Sequence, residues 1–305
     1  MNDGILLVDK AGEMTSHDVV GRCRRLFGRK DIGHAGTLDP MATGLLVILV
    51  GKATKLSDFL LNNEKAYEAV VELGRVTDTD DVTGETLKTI DQIPTSQDTI
   101  QKQVMSLSGA LELPVPIYSA IKVKGKKLYE KARKGEDFKP PMRTMEFRDI
   151  HWRGVEGPFV SVSFTCSKGS YVRAWAKELG EKLECGATLA KLRRIHSSPY
   201  HVEQALSLQD LEIMNASEIE MSPAFTPLNR SLAHWPSVRV DGNDEKLIRN
   251  GQIPRKLERY LELEFGKVEN LQGVKVLSRR TQDLVALLNF TPPLSFKIRR
   301  VFPNQ

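Results

Sequence analysis

Residues 33–44 read GHAGTLDPMATG, a polar, glycine-rich stretch holding one histidine, His34, and one carboxylate, Asp39. Pro40 disfavours helical geometry at the residue before it, so Asp39 is expected in an extended or turn conformation. A basic segment (Arg22, Arg24, Arg25, Arg29, Lys30) precedes the stretch, and the apolar run LLVILV follows it. A carboxylate on a loop at the mouth of a sheet is placed for chemistry: it can attack an electrophilic carbon, take a proton or face a developing cation. It can equally be a capping or turn aspartate, and these residues alone leave both roles open.

Other signatures fail on their spacing. In GLLVILVGKAT (residues 44–54) aliphatic residues fill the gap between the glycines and Ala53 stands where a phosphate-binding loop needs a hydroxyl, so a strand end is expected. Asp78, Asp80, Asp81, Gly84 and Glu85 imitate a calcium loop, but Val82 replaces an oxygen ligand and an acid-rich turn is the reading. None of the histidines (His17, His34, His151, His196, His201, His234) has another at i+3 or i+4, so no helical metal pair exists; His196 and His201 are expected in a loop. Cys23, Cys166 and Cys185 are odd in number and far apart, against a disulfide framework or CxxC metal sites.

The elements that must hold such a loop follow from periodicity. A strand is expected over 5–9 (ILLVD), then a helix capped by Thr15 or Ser16. Its residues Val19, Val20, Cys23, Leu26 and Phe27 recur at helical spacing, and Gly28 stops it. LLVILV (45–50) suits a strand buried on both faces, and AYEAVVEL (66–73) and FVSVSFTC (159–166) read as further strands. Thr99–Leu111 is expected to be an amphipathic helix with Ile100, Val104, Met105 and Leu107 inward. After a bend at Gly169, Tyr171 and Arg173 alternate along an extended segment and can point into one cleft; Trp175–Leu183 has helical spacing. Pro223, Pro227, Asn229 and Pro236 mark 222–237 as a linker candidate, followed by short strand-like pieces (SVRV, VKVL, LVALL) of a small β-rich tail. The irregular interleaving favours α+β over a regular βαβ series.

The chain has 305 residues, 40% apolar and 27% charged, enough for roughly two domains. No run of 18 apolar residues exists, and MNDGILLVDK has neither the basic start nor the cleavage site of a secretory signal, so a soluble, cytoplasmic protein is expected. The net charge of +5 is uneven: residues 230–305 carry +6 and the rest is near neutral. A second basic cluster comprises Lys122, Lys124, Lys126, Lys127, Lys131, Arg133 and Lys134. Such asymmetry hints at a polyanionic partner, although charge runs are also ordinary solvated faces.

Taken together, several blocks resemble the bacterial TruB-type tRNA pseudouridine synthases. GHAGTLDPMATGLL corresponds to that family's catalytic loop, with Asp39 at its aspartate, and DKAGEMTSHDVV to the motif beside it. KAYEAVVELG and TDTDDVTGE follow, with Tyr67 at the active-site tyrosine. IYSAIKVKGKKLYEKARKGE resembles the RNA-contacting region, SKGSYVRAWAKELGEKL brings Tyr171 and Arg173, and ATLAKLRRIHS brings Leu192. The blocks run in order from about residue 4 to residue 210. Ala11 stands where the motif usually has proline after Lys10, and the proline pair before the YSA block appears as Val115-Pro116. Beyond Leu228 the likeness to a PUA-like RNA-binding domain is loose.

The resemblance implies a mixed, largely antiparallel sheet flanked by helices over residues 1–228, with an RNA-contacting segment at about 118–140, and a small PUA-like domain over 229–305. It implies isomerisation of uridine 55 in the T loop of tRNA, with Asp39, Tyr67 and Arg173 catalytic and His34, Tyr171, Leu192 and Lys10 in contact with substrate. An isomerisation needs no redox cofactor, ATP or metal. The chain begins about four residues before the first motif, which favours a stand-alone enzyme over a guide-RNA-dependent relative; a monomer is expected. A non-catalytic RNA chaperone is the reading from another class, and the retained Asp39, Tyr67 and Arg173 argue against it.

Overall fold

A computed structural model describes residues 1–61, 63–119, 121–123, 126–128, 139–269, 271–291 and 295–303. In the second basic cluster Lys124, Lys131, Arg133 and Lys134 lie outside the described residues, as do the side chains of Lys122, Lys126 and Lys127.

The helix Ser16–Phe27 forms where its signals lie. Thr15 and Asp18 make a reciprocal capping box, Gly28 takes the left-handed conformation at φ 61°, and Val19, Val20 and Cys23 are buried. The strands Gly4–Lys10, Thr43–Val50, Lys65–Leu73 and Phe159–Cys166 agree with the apolar and alternating patterns. Among the described residues eleven strands make one sheet. Its path runs Leu206–Ser207, Gly4–Lys10, Thr43–Val50, Ala187–Ser197, Lys65–Leu73, Phe159–Cys166, Met142–Glu156, Gly109–Pro114. Thr43–Val50 runs parallel to Ala187–Ser197 and Gly4–Lys10 parallel to Leu206–Ser207; the other pairs along this path are antiparallel. The chain is therefore α+β with a mixed sheet, as expected.

Several local expectations need correction. The helix expected over 99–111 spans Gln97–Ser106: Ser96 caps it, Gly109 takes φ 92°, and Gly109–Pro114 becomes the edge strand against Met142–Phe147. Met105 is 45% exposed, whereas Ile100, Val104 and Leu107 are buried. The segment carrying Arg173 is not extended: the helix begins at Val172, so Arg173 lies in its first turn and Tyr171 caps it. His196 and His201 sit on paired strands, directly opposite, with ring centroids 4.3 Å apart. The strand Met142–Glu156 escaped the pattern reading because register shifts at Arg148/His151 and Trp152/Gly154 break its alternation. The 222–237 segment is not a free linker, since Phe225–Pro227 pairs with Gly4–Leu6.

The carboxyl-terminal part holds a sheet of four strands, Ser237–Val240, Gly273–Ser278, Leu284–Thr291 and Ser295–Val301, with the helices Gly242–Arg249 and Arg255–Phe265. Val238, Ile248, Leu261, Val274, Val276, Val285 and Leu288 give it a core of its own. It also docks on the large sheet's side: Lys52 and Lys55 donate to the carbonyls of Pro303 and Val301, and Phe59 meets Trp235 edge-on at 5.3 Å. Among the described residues no helix is long and apolar enough to cross a membrane.

Candidate active site

The loop between the strands Ile32–Ala35 and Thr43–Val50 carries Asp39, and buried groups tie it down almost residue by residue. The buried Ser16 hydroxyl accepts from Leu38 N–H at 2.8 Å and donates to Leu38 O at 3.1 Å. Lys10 is fully buried; its ammonium donates to the carbonyls of Ala11, Met14 and Pro40 at 2.9, 2.8 and 3.2 Å. Arg194, also fully buried, donates from Nε to Leu45 O at 2.6 Å and from Nη2 to Gly36 O at 3.1 Å. Ala42 N–H closes the turn on Asp39 O at 3.1 Å. A loop held at residues 36, 38, 40 and 45 has little freedom left for the carboxylate at 39.

Arg173 meets that carboxylate at two points, with Nε 3.0 Å from Oδ2 and Nη2 donating to Oδ1 at 3.4 Å. The guanidinium is 6% exposed and the carboxylate 34%. Its remaining donors reach Thr79 O at 2.9 Å and Tyr118 O at 3.1 Å, and Asp81 Oδ2 stands 3.8 Å away. A cation in the first turn of a helix opposes the helix dipole, so two carboxylates and two carbonyls are what make this buried position tenable. The helix itself is anchored from behind: Trp175 packs against Phe147 and Phe164, and its indole N–H donates to Leu107 O at 3.2 Å. The acid-rich turn feeds the same network. Asp81 accepts from Thr79 Oγ1, Thr83 N–H and Thr83 Oγ1, so its oxygens serve the turn and Arg173.

Tyr67, on Lys65–Leu73, is buried, and its strand register sets it directly opposite Arg194 on Ala187–Ser197. Burial pushes the Tyr67 phenol up to about 12, while the neighbouring Arg194 guanidinium pulls the other way. Burial also raises the Tyr171 phenol. Asp39 contributes to the field felt by Lys10, Tyr67 and Tyr171. Burial brings Lys10 down to about 8, against the pull of Asp39. Leu192 is buried two residues before Arg194 on the same strand, opposite Ala69. His34 lies on the strand leading into the loop; its Nδ1 is buried without a hydrogen-bond partner, and burial lowers its proton affinity. All seven residues singled out from the sequence thus lie on the loop or on elements packed against it. Lys10 has its donors committed to loop carbonyls.

The sequence reading passed over Arg194, and it gave Ser16 only a capping role and Asp81 only a place in an acid-rich turn. The Arg193-Arg194 pair carried a usable signal: on a strand, consecutive side chains face opposite ways, so one arginine of the pair must point inward. Arg193 pairs outward with Asp9 at 3.0 and 2.7 Å, and Arg194 is the buried one. The arrangement suits chemistry at an electron-poor carbon: a fixed, partly exposed carboxylate, a buried counter-cation and two phenols beside it.

Comparison with known proteins gives the chain its relatives. A family model described as TruB family pseudouridylate synthase (N terminal domain) matches residues 24–172, and one described as tRNA pseudouridylate synthase B C-terminal domain matches 173–233. The tRNA pseudouridine synthase B of Bdellovibrio bacteriovorus is 41% identical over 98% of this chain and 97% of its own. That of Syntrophotalea carbinolica is 36% identical over 98% of both. Among solved structures, a Cbf5-Nop10-Gar1 complex contains a chain of the same fold, with a TM-score of 0.70 at 21% identity, covering 98% of this chain and 84% of that one. With both family models and full-length relatives matching, the chain belongs to the TruB family of pseudouridylate synthases.

Proposed function

We propose that the protein isomerises uridine 55 in the T loop of tRNA to pseudouridine, without a guide RNA. The observation that carries the reading is the two-point contact between Arg173 and Asp39 on a loop clamped at four positions. The target nucleotide is stacked within a folded loop and must be everted to reach a carboxylate at this depth. Breaking the bond between ribose C1′ and uracil N1 puts positive character on the sugar, which Asp39 faces with a carboxylate held at two points by Arg173. The freed base turns and joins C1′ through C5; the C5 proton then leaves and N1, freed of the sugar, takes up a proton, so the product is an isomer of the substrate. Tyr67 is assigned to that proton transfer, Tyr171 to stacking on the base, and Leu192 to its apolar floor. His34 and Lys10 keep the loop in the shape that receives the nucleotide.

Residues 1–228 form the catalytic domain in this reading, and residues 229–305 a PUA-like domain that grips the tRNA. The basic segment at 118–140 and the positive tail contact phosphates, so affinity falls steeply with salt. The enzyme works in the cytoplasm as a monomer, with no cofactor or metal in the reaction. Incubation of the purified full chain with an unmodified T-arm stem-loop and no guide RNA tests the reading, with carbodiimide mapping and mass spectrometry of the product. Pseudouridine at position 55, and none from Asp39→Asn, is the expected result. An inert parent enzyme, or an undiminished Asp39→Asn, overturns it.

A further inference from the structure

Arg194 is among the largest fully buried side chains, yet no carboxylate pairs with it among the described residues. Nε and Nη2 are consumed by Leu45 O and Gly36 O, the two ends of the Asp39 loop. The third nitrogen, Nη1, is buried and makes no hydrogen bond. An unpaired guanidinium donor is costly away from water, and such exceptions mark sites where a partner arrives or where the strain has a use. Strand register puts Tyr67 directly opposite Arg194, and the charge of this guanidinium pulls the phenol down against the effect of burial. Lys65, two residues before Tyr67, also belongs to this cationic cluster, its ammonium donating to Asn63 O at 2.8 Å. Cys166 lies beside the same cluster, its thiol held protonated by burial.

We propose that Arg194 is a positioning residue for Tyr67. Anchored at both ends of the Asp39 loop, it presents Nη1–H to the phenol oxygen, so that loop and phenol are set by one rigid side chain. This rests on the reading above that Tyr67 takes part in proton transfer. The consequence is electrostatic as well as geometric: the guanidinium stabilises the phenolate that burial opposes. It also fits the choice of residue, since the rigid planar fork of a guanidinium fixes the direction of each donor, whereas an ammonium on a flexible stem does not. The second face of the pair is equally committed, because Gly44 packs its backbone against that of Arg194.

The test replaces Tyr67 by 3,5-difluorotyrosine, which titrates near neutrality, in the otherwise unchanged full chain and follows it by fluorine NMR against pH. Arg194→Met is expected to raise the titration midpoint of residue 67 by roughly one unit or more, and Arg194→Lys to raise it by less. If Arg194→Met does not fold, Arg194→Lys alone decides: a midpoint equal to that of the parent overturns the proposal. A midpoint unmoved in a folded Arg194→Met overturns it too. Single-turnover isomerisation of the T-arm stem-loop by Tyr67→Phe separates this from the broader reading. An undiminished rate there defeats the proton-transfer role of Tyr67, whereas a slow Tyr67→Phe with a titration indifferent to Arg194 defeats the present inference only.

Discussion

Arg173 and Asp39 are 134 residues apart in sequence, and their two-point contact joins the first turn of a helix to a strand-connecting loop. Two nitrogens of one side chain meet the two carboxylate oxygens, which a guanidinium can provide and an ammonium cannot. Arg173→Lys therefore keeps the charge but releases one carboxylate oxygen and the carbonyls of Thr79 or Tyr118. Isomerisation of the T-arm stem-loop is expected to fall by roughly 10²-fold or more, and folding stability by about 1–3 kcal/mol. Single-turnover rates and urea unfolding check both; an unchanged rate in Arg173→Lys contradicts the bidentate role.

Tyr67→Phe removes one oxygen from a buried site beside Arg194. The slot is retained, so RNA affinity is expected to stay within about threefold while the rate falls by roughly 10²–10⁴-fold, the usual range for a lost proton-transfer group. Filter binding and single-turnover kinetics on the same preparation distinguish this from a purely structural tyrosine, which predicts little loss of rate.

Gly44 has φ 96°, and a Cβ there would meet the carbonyl oxygen of Arg194 at 2.3 Å. Both the positive φ and the backbone contact oppose any side chain, so Gly44→Ala is expected to cost roughly 3 kcal/mol or more. Gly28 is a matched control: its φ is 61° but nothing lies within 4 Å of where a methyl would sit, so Gly28→Ala should cost only about 1–2 kcal/mol. Thermal and urea melts of the two variants rank them.

Burial lowers the pKa of His34 from 6.5, aided by the nearby charges of His17 and Arg194. Below that value the unfolded chain takes up a proton that the folded chain resists. The stability this group supports is thus present above pH 6.5 and is lost as pH falls beneath it. His34→Gln cannot titrate. Between about pH 7.5 and about pH 5 its urea midpoint should fall less than that of the parent. Equal losses in the two proteins contradict a buried, neutral His34.

Neutralising the lysines of the 122–134 segment to glutamine is expected to weaken tRNA binding and flatten its salt dependence, by about one power of salt for each phosphate contact removed. Single-turnover chemistry at saturating RNA should stay nearly intact. A large loss of that rate with normal binding contradicts a phosphate-gripping role.

Much of this protein was legible from the order of its residues. The helix Ser16–Phe27 is written in Thr15, Asp18 and Gly28, and the inner strands in their apolar runs, because caps, turns and alternation depend on neighbours a few residues away. The loop with Asp39, and its likeness to a known catalytic segment, were equally visible in GHAGTLDPMATG. Tertiary structure alone decided what surrounds that carboxylate. Gly109 cut short a helix that periodicity extended, since the chain was needed as a strand against Met142–Phe147. Arg173 moved from an extended segment into a helix whose far side is fixed by Trp175. Arg194 became the hub of the loop only through pairing with Lys65–Leu73 and Thr43–Val50, over 120 residues distant in the chain. The physical reason is the same in each case: burial of a charge or a phenol is set by which strands lie beside it, and no local pattern encodes that neighbour.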